Sequence, residues 1–337
     1  MGGEGNESHK AKIRQTRVAH HSSHEPTRYV ERRRVSTNHA DCQPGLPNRR
    51  DFIHGGAYPK RKPVGSSASS LEIDFPMNES SLKTKHEWCF RFFNNPDYLT
   101  IYKDMTGPAR TETEVEFCQA VFKWKRGDPI LDAPCGAGRH ALQIAKQGFT
   151  VTGLDFSNYL LGRAVYRSNR LPLHYPYPYF IRGLMQTMPF LDNHFQYIIC
   201  MFSSFGYGET QEENLAVMKE FHRVLKPGGK ALIDLMNRHF IIPRLNKVYT
   251  SVQHGLKVRE ERSITDNQHR LHNVISVEDR EGNRRTYLYN PWLYNGWELA
   301  YLANQAGLEV DAIYGNFDRE EYTLESQRAM LVARKPI

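Results

Sequence analysis

The stretch Ile130-Leu131-Asp132-Ala133-Pro134-Cys135-Gly136-Ala137-Gly138-Arg139-His140 reads as a strand that turns into a helix through two glycines. Ile130 and Leu131 form the apolar end of a strand that carries Asp132 to the tip of a sheet. Gly136 and Gly138 let the backbone pass close to a ligand at a helix N-terminus. A second apolar strand, Thr150 to Leu154, ends in another carboxylate, Asp155. Two parallel strand tips with a glycine loop, and an acid on the second, make a site for an adenosine-containing cofactor. The same residues fit the looser dinucleotide signature Gly-x-Gly-x-x-Ala through Gly136, Gly138 and Ala141. They also fit an ordinary strand–helix turn with no ligand.

Electrostatics separates the two cofactor classes. Asp132 sits where a pyrophosphate would lie in a dinucleotide site, and a carboxylate there repels phosphate. It suits a ligand with a positive end, such as the amino group and sulfonium of S-adenosylmethionine. Asp155 can accept from both ribose hydroxyls in either class.

Further along, Phe195 to Met201 reads as a buried strand, followed by Ser203-Ser204-Phe205-Gly206-Tyr207. Between Glu212 and Leu225, apolar residues at 215, 218, 221 and 225 make a helical stripe. Lys226-Pro227-Gly228-Gly229 stops that helix and forces a turn, and Lys230 to Asp234 is the next strand. With Leu131–His140, Ser203–Tyr207 and Arg223–Gly229 in hand, the chain resembles the class I S-adenosylmethionine-dependent methyltransferases, in their bacterial-type small-molecule branch. The resemblance extends upstream to Trp88, Phe92, Phe93, Asp97 and Tyr98, and downstream to Tyr314–Asp318, Ser326 and Arg328, over roughly the last 260 residues.

The resemblance implies a Rossmann-like, seven-stranded α/β sheet and an antiparallel hairpin insert, 240–292, that covers the substrate side as a lid. It implies S-adenosyl-L-methionine as cofactor, held by Asp132, Pro134, Cys135, Gly136, Gly138, Arg139, Asp155, Phe156, Leu184, Met185, Gln186 and Phe202. Methyl transfer mainly needs alignment and exclusion of water, so no single residue announces catalysis. Tyr98, Tyr207 and Asn237 are candidates for orienting the acceptor, and core packing is an equal alternative for each. Arg328 is read as a structural ion pair. Two positions depart from the family pattern: Leu184 stands where an acid commonly accepts from the adenine amine, and Gln196 replaces an aspartate opening the fourth strand. A hydrogen bond to a charged group is worth about 1.5–3 kcal/mol, so losing the acid weakens a site with several other contacts without abolishing it.

Alternating strands (129–132, 150–155, 179–183, 195–201, 230–235) and helices (139–147, 158–169, 211–225) predict a parallel sheet with helices on both sides. Upstream, helices are expected over Ser80–Asn95 and Glu112–Lys125, the second with Val115, Cys118 and Phe122 on one face. In the insert, alternating runs around Leu256–Glu260 and Leu271–Val277, joined near Asp266-Asn267 and closed near Glu281-Gly282-Asn283, predict hairpins. Gly296–Ala306 is the last helix; Leu308–Ile313 and Ala329–Arg334 are the closing strands, the last antiparallel.

Charge is distributed unevenly. Residues 1–70 hold thirteen Lys and Arg against six Asp and Glu, while the remainder carries 32 against 31. The basic character therefore belongs to the first 70 residues, which are poor in apolar side chains and expected to be a disordered basic extension. The methyltransferase-like domain is assigned to 71–337, and Met77 is an alternative start of translation. A near-neutral domain makes nucleic acid an unlikely partner except through the basic arm. Five cysteines with no paired spacing argue for reduced thiols and a cytoplasmic location. No apolar run reaches the length of a membrane span, and the histidines lack metal-ligand spacing. Four function classes stay open: a small-molecule methyltransferase, a methyltransferase acting on protein or RNA, a degenerate non-catalytic copy of the fold, and a dinucleotide enzyme.

Overall fold

The computed structural model describes residues 87–267 and 269–337, all within one unit, Lys60–Ile337. The expectations for 1–70, for Met77, for Cys42 and for the helical segment before Glu87 lie outside the described residues.

Seven strands build the main sheet: β1 (Ile130–Asp132), β2 (Val151–Asp155), β3 (Tyr179–Arg182), β4 (Phe195–Cys200), β5 (Leu225–Met236), β10 (Glu309–Tyr314) and β11 (Arg328–Arg334). Their order is β10-β11-β5-β4-β1-β2-β3. β1, β2, β3, β4 and β5 pair in parallel, and β11 runs antiparallel to both β5 and β10. β1 therefore lies inside the sheet, with β4 on one side and β2 on the other. The order reverses there, which is where open α/β sheets bind ligands. The sheet's strands are nearly continuous apolar runs, as expected when both faces are covered.

The covering helices follow the expected segments closely: α3 (Pro108–Phe122), α4 (Arg139–Lys146), α5 (Asn158–Ser168), α6 (Gln211–Val224) and α8 (Gly296–Gln305), with a short α7 at Arg238–Ile241. α3 begins four residues before the expected Glu112. Pro108 occupies its first turn, where the missing N–H costs nothing, but Pro-Ala-Arg-Thr offers no apolar period. α8 starts with a reciprocal capping box between Asn295 and Glu298.

The Lys226–Gly229 turn takes an unexpected form. β5 already begins at Leu225, which pairs with Phe195, while Lys230 pairs with Tyr197. The four intervening residues bulge out of the ladder opposite Gln196. Gly229 is required because a Cβ there would lie 2.8 Å from Lys226 O and 3.0 Å from Gln196 O.

The insert forms a separate antiparallel sheet of β6 (Val248–Gln253), β7 (Leu256–Thr265), β8 (Arg270–Glu278) and β9 (Arg284–Tyr289). The β6–β7 turn at His254-Gly255 escaped the sequence reading, because Val248–Gln253 is an exposed edge strand with no buried alternation. The apolar face of this sheet (Leu256, Val258, Ile275, Val277, Tyr287) packs on α1 (Glu87–Phe93) and α2 (Pro96–Ile101) through Trp88, Phe92, Phe93 and Ile101. Buried Asp97 ties α2 to β9, accepting from Arg285 Nε at 2.7 Å and from Tyr287 Oη at 2.7 Å. Glu209 ties the loop after β4 to α1 and to the insert, accepting from Trp88 Nε1 at 3.2 Å and Arg270 Nη2 at 3.0 Å.

Candidate active site

A cavity of about 850 Å³ opens over the tips of β1, β2 and β4. Its floor is the turn Pro134–Ala137. One wall is Asp155, Phe156 and Leu184–Gln186; the other comprises Phe202, Ser204 and Tyr207 after β4, Phe90, Phe93, Tyr98 and Tyr102 from the first two helices and the turn after them, and Thr111 of α3. No described residue of 240–292 lines the cavity. The aromatic helices α1 and α2 form the cover, and the insert braces them from outside.

The two glycines of the loop divide the work. Gly136 sits at φ +54° and a Cβ on it would meet no protein atom within 4 Å, so the space beside it belongs to the cavity. Gly138, at φ +75°, is not on the wall. Its Cβ would lie 2.9 Å from the Cβ of Ala164 and 3.0 Å from the ring of Phe180, so it serves close packing of loop, helix and strand. The ligand contact expected at Gly138 falls on a residue that does not line the cavity. Cys135 lines the cavity, but burial pushes its thiol well up, and it acts as packing rather than as a nucleophile.

Asp155 is buried with Oδ2 accepting from Gly136 N–H at 2.8 Å and Oδ1 from Ser157 N–H at 2.9 Å. It both closes the glycine turn and faces the cavity, and burial pushes its carboxyl up to about 6. Asp132 departs from expectation. It is fully buried beneath the loop and off the cavity wall, with Oδ2 accepting from Ala141 N–H in the first turn of α4 at 3.2 Å. Its Oδ1 is buried with no hydrogen-bond partner among the described residues. Burial pushes this carboxyl up to about 8. A cation placed beside it would favour the charged form.

Arg139 supplies the complementary atom. Its Nη1 donates to Thr111 Oγ1 at 3.0 Å and to Glu114, while Nη2 is buried without a partner among the described residues. Glu114, wholly buried on α3, collects Arg139, His140 Nε2 at 2.9 Å and Arg110 Nε at 2.9 Å. Burial alone would raise the Glu114 carboxyl, but the hydrogen bonds and charges of His140 and Arg139 hold it well below the usual range. Burial, then the charge of Arg139, lowers His140 to about 4, so its imidazole is neutral at physiological pH.

Phe202 and Ser203 both adopt left-handed backbone, φ +61° and +58°, a strained pair for residues other than glycine. Asp234 holds the turn, accepting from Phe202 N–H through Oδ2 at 3.0 Å and from Ser203 N–H through its carbonyl at 2.9 Å. Arg328 pairs with that buried carboxylate, the structural role expected of it. The outcome is a Phe202 ring in the cavity with the guanidinium carbons of Arg110 and Arg139 5.2 and 5.1 Å from its centroid.

Tyr98 and Tyr207 both reach the cavity. Tyr207 stacks on Phe93 at 5.5 Å between centroids and shares a hydrogen bond with Tyr289. Burial pushes the hydroxyls of Tyr98, Tyr102 and Tyr207 well up, so they are neutral donors and not bases. Asn237 does not reach the cavity. It is fully buried, its Nδ2 donates to Leu324 O and Ser326 O at 2.8 Å each, and its Oδ1 accepts from Tyr322 Oη at 3.1 Å. The expectation of a cleft-facing Asn237 is therefore replaced by a clamp joining β5 to the 322–326 loop.

Residues 130–229 match the family described as a methyltransferase domain. Among curated relatives, demethylmenaquinone methyltransferase of Chlorobaculum tepidum is 39% identical over 129 residues, covering 37% of this chain and 48% of the relative. Glycine/sarcosine N-methyltransferase of Aphanothece halophytica is 26% identical over 233 residues, covering 67% of this chain and 83% of the relative. The chain spans about half the length of most of the curated relatives it matches. Among solved structures, the CcbJ methyltransferase of Streptomyces caelestis superposes with a TM-score of 0.62 at 20% identity, over 73% of this chain and 98% of that one. An S-adenosylmethionine-dependent methyltransferase of Clostridium acetobutylicum gives 0.58 at 16% identity, over 68% and 92%.

Residues 130–229 thus match a methyltransferase-domain family, and the chain has the fold of solved S-adenosylmethionine-dependent methyltransferases.

Around the cavity, the residues not legible in the sequence as site residues are Thr111, Glu114 and His140. Glu114 precedes Val115 of the apolar stripe directly, and Arg110 lies one helical turn back. A carboxylate beside a buried stripe was the available signal for a buried ion-pair network. Tyr102 and Phe93 were legible only as members of an aromatic-rich segment. Among the described residues no cluster of His, Cys, Asp or Glu could hold a metal, and no helix is long and apolar enough to cross a membrane.

Proposed function

We propose that the protein is an active S-adenosylmethionine-dependent methyltransferase acting on a small-molecule acceptor. One observation carries the reading. A buried carboxylate oxygen (Asp132 Oδ1) and a buried guanidinium nitrogen (Arg139 Nη2) have no partner among the described residues around the N-terminus of α4, Arg139 on the cavity wall and Asp132 behind it at the end of β1. Unpaired buried polar atoms are costly. An α-amino acid offers an ammonium for the first and a carboxylate for the second, as does the methionine end of the cofactor. Asp155 would take the ribose hydroxyls, and Phe156 with Leu184–Gln186 would hold the adenine. Leu184 brings no acid to that wall, so the Gln186 carboxamide and backbone groups would read the adenine edge.

When bound, S-adenosylmethionine supplies an electrophilic methyl on a sulfonium. The protein's own contribution is positional: aromatic rings of α1, α2 and the Phe202 turn exclude water, and Tyr98 and Tyr207 orient the acceptor for an in-line approach. The cysteines Cys89, Cys118, Cys135 and Cys200 are free and buried, which supports the reading of a reduced, cytoplasmic enzyme. Calorimetric titration of the full chain with S-adenosylmethionine and with NAD tests the proposal. Micromolar binding of the first alone is expected; binding of NAD alone, or of neither, contradicts it.

A further inference from the structure

The near-neutral charge of the domain hides a strong local imbalance. From Ala133 to Leu191 the chain carries six Arg and Lys and a single acid, Asp155, which is committed to the cavity. Four of these cations, Lys146, Arg163, Arg167 and Arg170, are exposed, as is Arg126. Arg163 and Arg167 are close enough to repel one another. Arg167 and Lys146 flank the groove between α4 and α5, where Arg167 Nη1 donates to the carbonyl of Ala137 in the glycine loop at 3.3 Å. Lys146 joins Arg126 and His174 around a second hollow of about 410 Å³. Arg170 stacks on the Tyr166 ring at 3.4 Å, with Arg163 also 5.4 Å from that centroid. Tyr166 keeps 48% of its surface exposed. Among the described residues no carboxylate pairs with Arg126, Lys146, Arg163, Arg167 or Arg170, whereas the insert's Arg259, Arg262, Arg270, Arg284 and Arg285 are all in ion pairs.

We propose that this α4–α5 face binds a single strand of nucleic acid. A line of unpaired cations tracks a phosphate backbone, and flat aromatic and guanidinium surfaces among them stack bases without reading sequence. An acidic protein segment would use the charge but would gain little from the Tyr166–Arg170 stack. The face is distinct from the acceptor wall of aromatic residues, so the strand is a docked ligand and not the methyl acceptor. It meets the cofactor cavity at Lys146 and Arg167.

The test uses the full chain and a fluorescein-labelled 12-nucleotide single-stranded RNA, read by anisotropy over a salt series, with 4-thiouridine photocrosslinking to map the contact. The proposal expects crosslinked peptides covering 163–177. It also expects that R126Q/R163Q/R170Q weakens binding about tenfold or more and flattens the log–log salt slope by about two, roughly 0.7 per lost phosphate contact. These three side chains lie off the cavity wall, so S-adenosylmethionine affinity should be unchanged in the variant, which keeps the outcome separable from the methyl-transfer reading. The proposal is overturned if crosslinks fall only elsewhere, if the variant binds RNA like the parent, or if polyglutamate or inorganic tripolyphosphate competes as well as RNA at equal charge.

Discussion

The two ends of the cavity are built on different principles. At the glycine-loop end, buried ionisable groups on three elements converge: Asp132 on β1, Arg139 and His140 on α4, Glu114 on α3, each fixed by named hydrogen bonds and with two atoms left over. At the other end, Phe93, Tyr98, Tyr102, Phe202 and Tyr207 pack ring against ring, edge to face, tilted or stacked, with neutral hydroxyls. The first end specifies a ligand by the position of charge, which tolerates few alternatives. The second specifies one by shape and by exclusion of water, which many acceptors can satisfy. Cofactor identity is therefore the firmer conclusion, and acceptor choice rests on a surface that substitutions can reshape.

The contrast should break first at the glycines. Gly136→Asn keeps the left-handed backbone tolerable but puts a side chain into the cofactor space. It should cost a hundredfold or more in S-adenosylmethionine affinity by calorimetry while thermal stability hardly changes. Gly138→Asn should do the reverse, lowering the melting temperature sharply because its Cβ meets Ala164 and Phe180. Equal effects of the two would erase the distinction between cradle and packing glycine.

Next come the charged partners. Asp132→Asn or Arg139→Met should each weaken cofactor binding about ten- to a hundredfold, the worth of a hydrogen bond to a charged group. An unchanged dissociation constant for both would mean the leftover atoms have no ligand.

The pH dependence sharpens the same end. Asp132 titrates near 8 when folded and in the ordinary carboxylate range when unfolded, so the free protein holds more protons than the unfolded chain and loses stability as pH rises towards 8. His140, lowered to about 4, contributes the opposite slope only below about 6.5, where its unfolded form takes up a proton. Between roughly 6.5 and 8 the Asp132 trend should therefore dominate these two. Cofactor binding, which favours the ionised carboxylate, should release protons there, and its affinity should rise by up to about tenfold per pH unit. Calorimetry in buffers of different ionisation enthalpy measures the proton count, and a count of zero at pH 7 contradicts the assignment.

The acceptor end should respond least. Tyr207→Phe is expected to raise the acceptor KM by no more than about tenfold and to leave cofactor affinity alone. Asn237→Ala should leave both alone and cost about 1–3 kcal/mol of stability in denaturant titration, because it orphans buried groups. A large loss of cofactor affinity in the Tyr207 variant would join the two ends into one site.

The difference between the ends also explains what could be read in advance. Strand tips, glycines and Asp155 are local: an apolar run, a turn residue and an acid within a few positions announce the main sheet and its switch point. Cys135, Phe156, Met185 and Gln186 line the cavity because their loops follow directly from those strands. Glu114 and Thr111 come from a helix 25 and 28 residues before Arg139, and only the fold brings them to it. Asn237 shows the converse: its place after β5 suggested the cleft, but four hydrogen-bonding groups of the 322–326 loop and α7 claim its side chain. Charge state was the least legible property, since Asp132 reads as a carboxylate until its burial is known.

The most direct measurement compares S-adenosylmethionine with 5′-methylthioadenosine, which keeps the adenosine and lacks the amino acid, by calorimetry on the full chain. If Asp132 and Arg139 hold the amino-acid end, the truncated ligand should bind about a hundredfold or more weaker, and Asp132→Asn/Arg139→Met should abolish most of that gap. Equal binding of the two ligands by the unaltered protein would contradict the account.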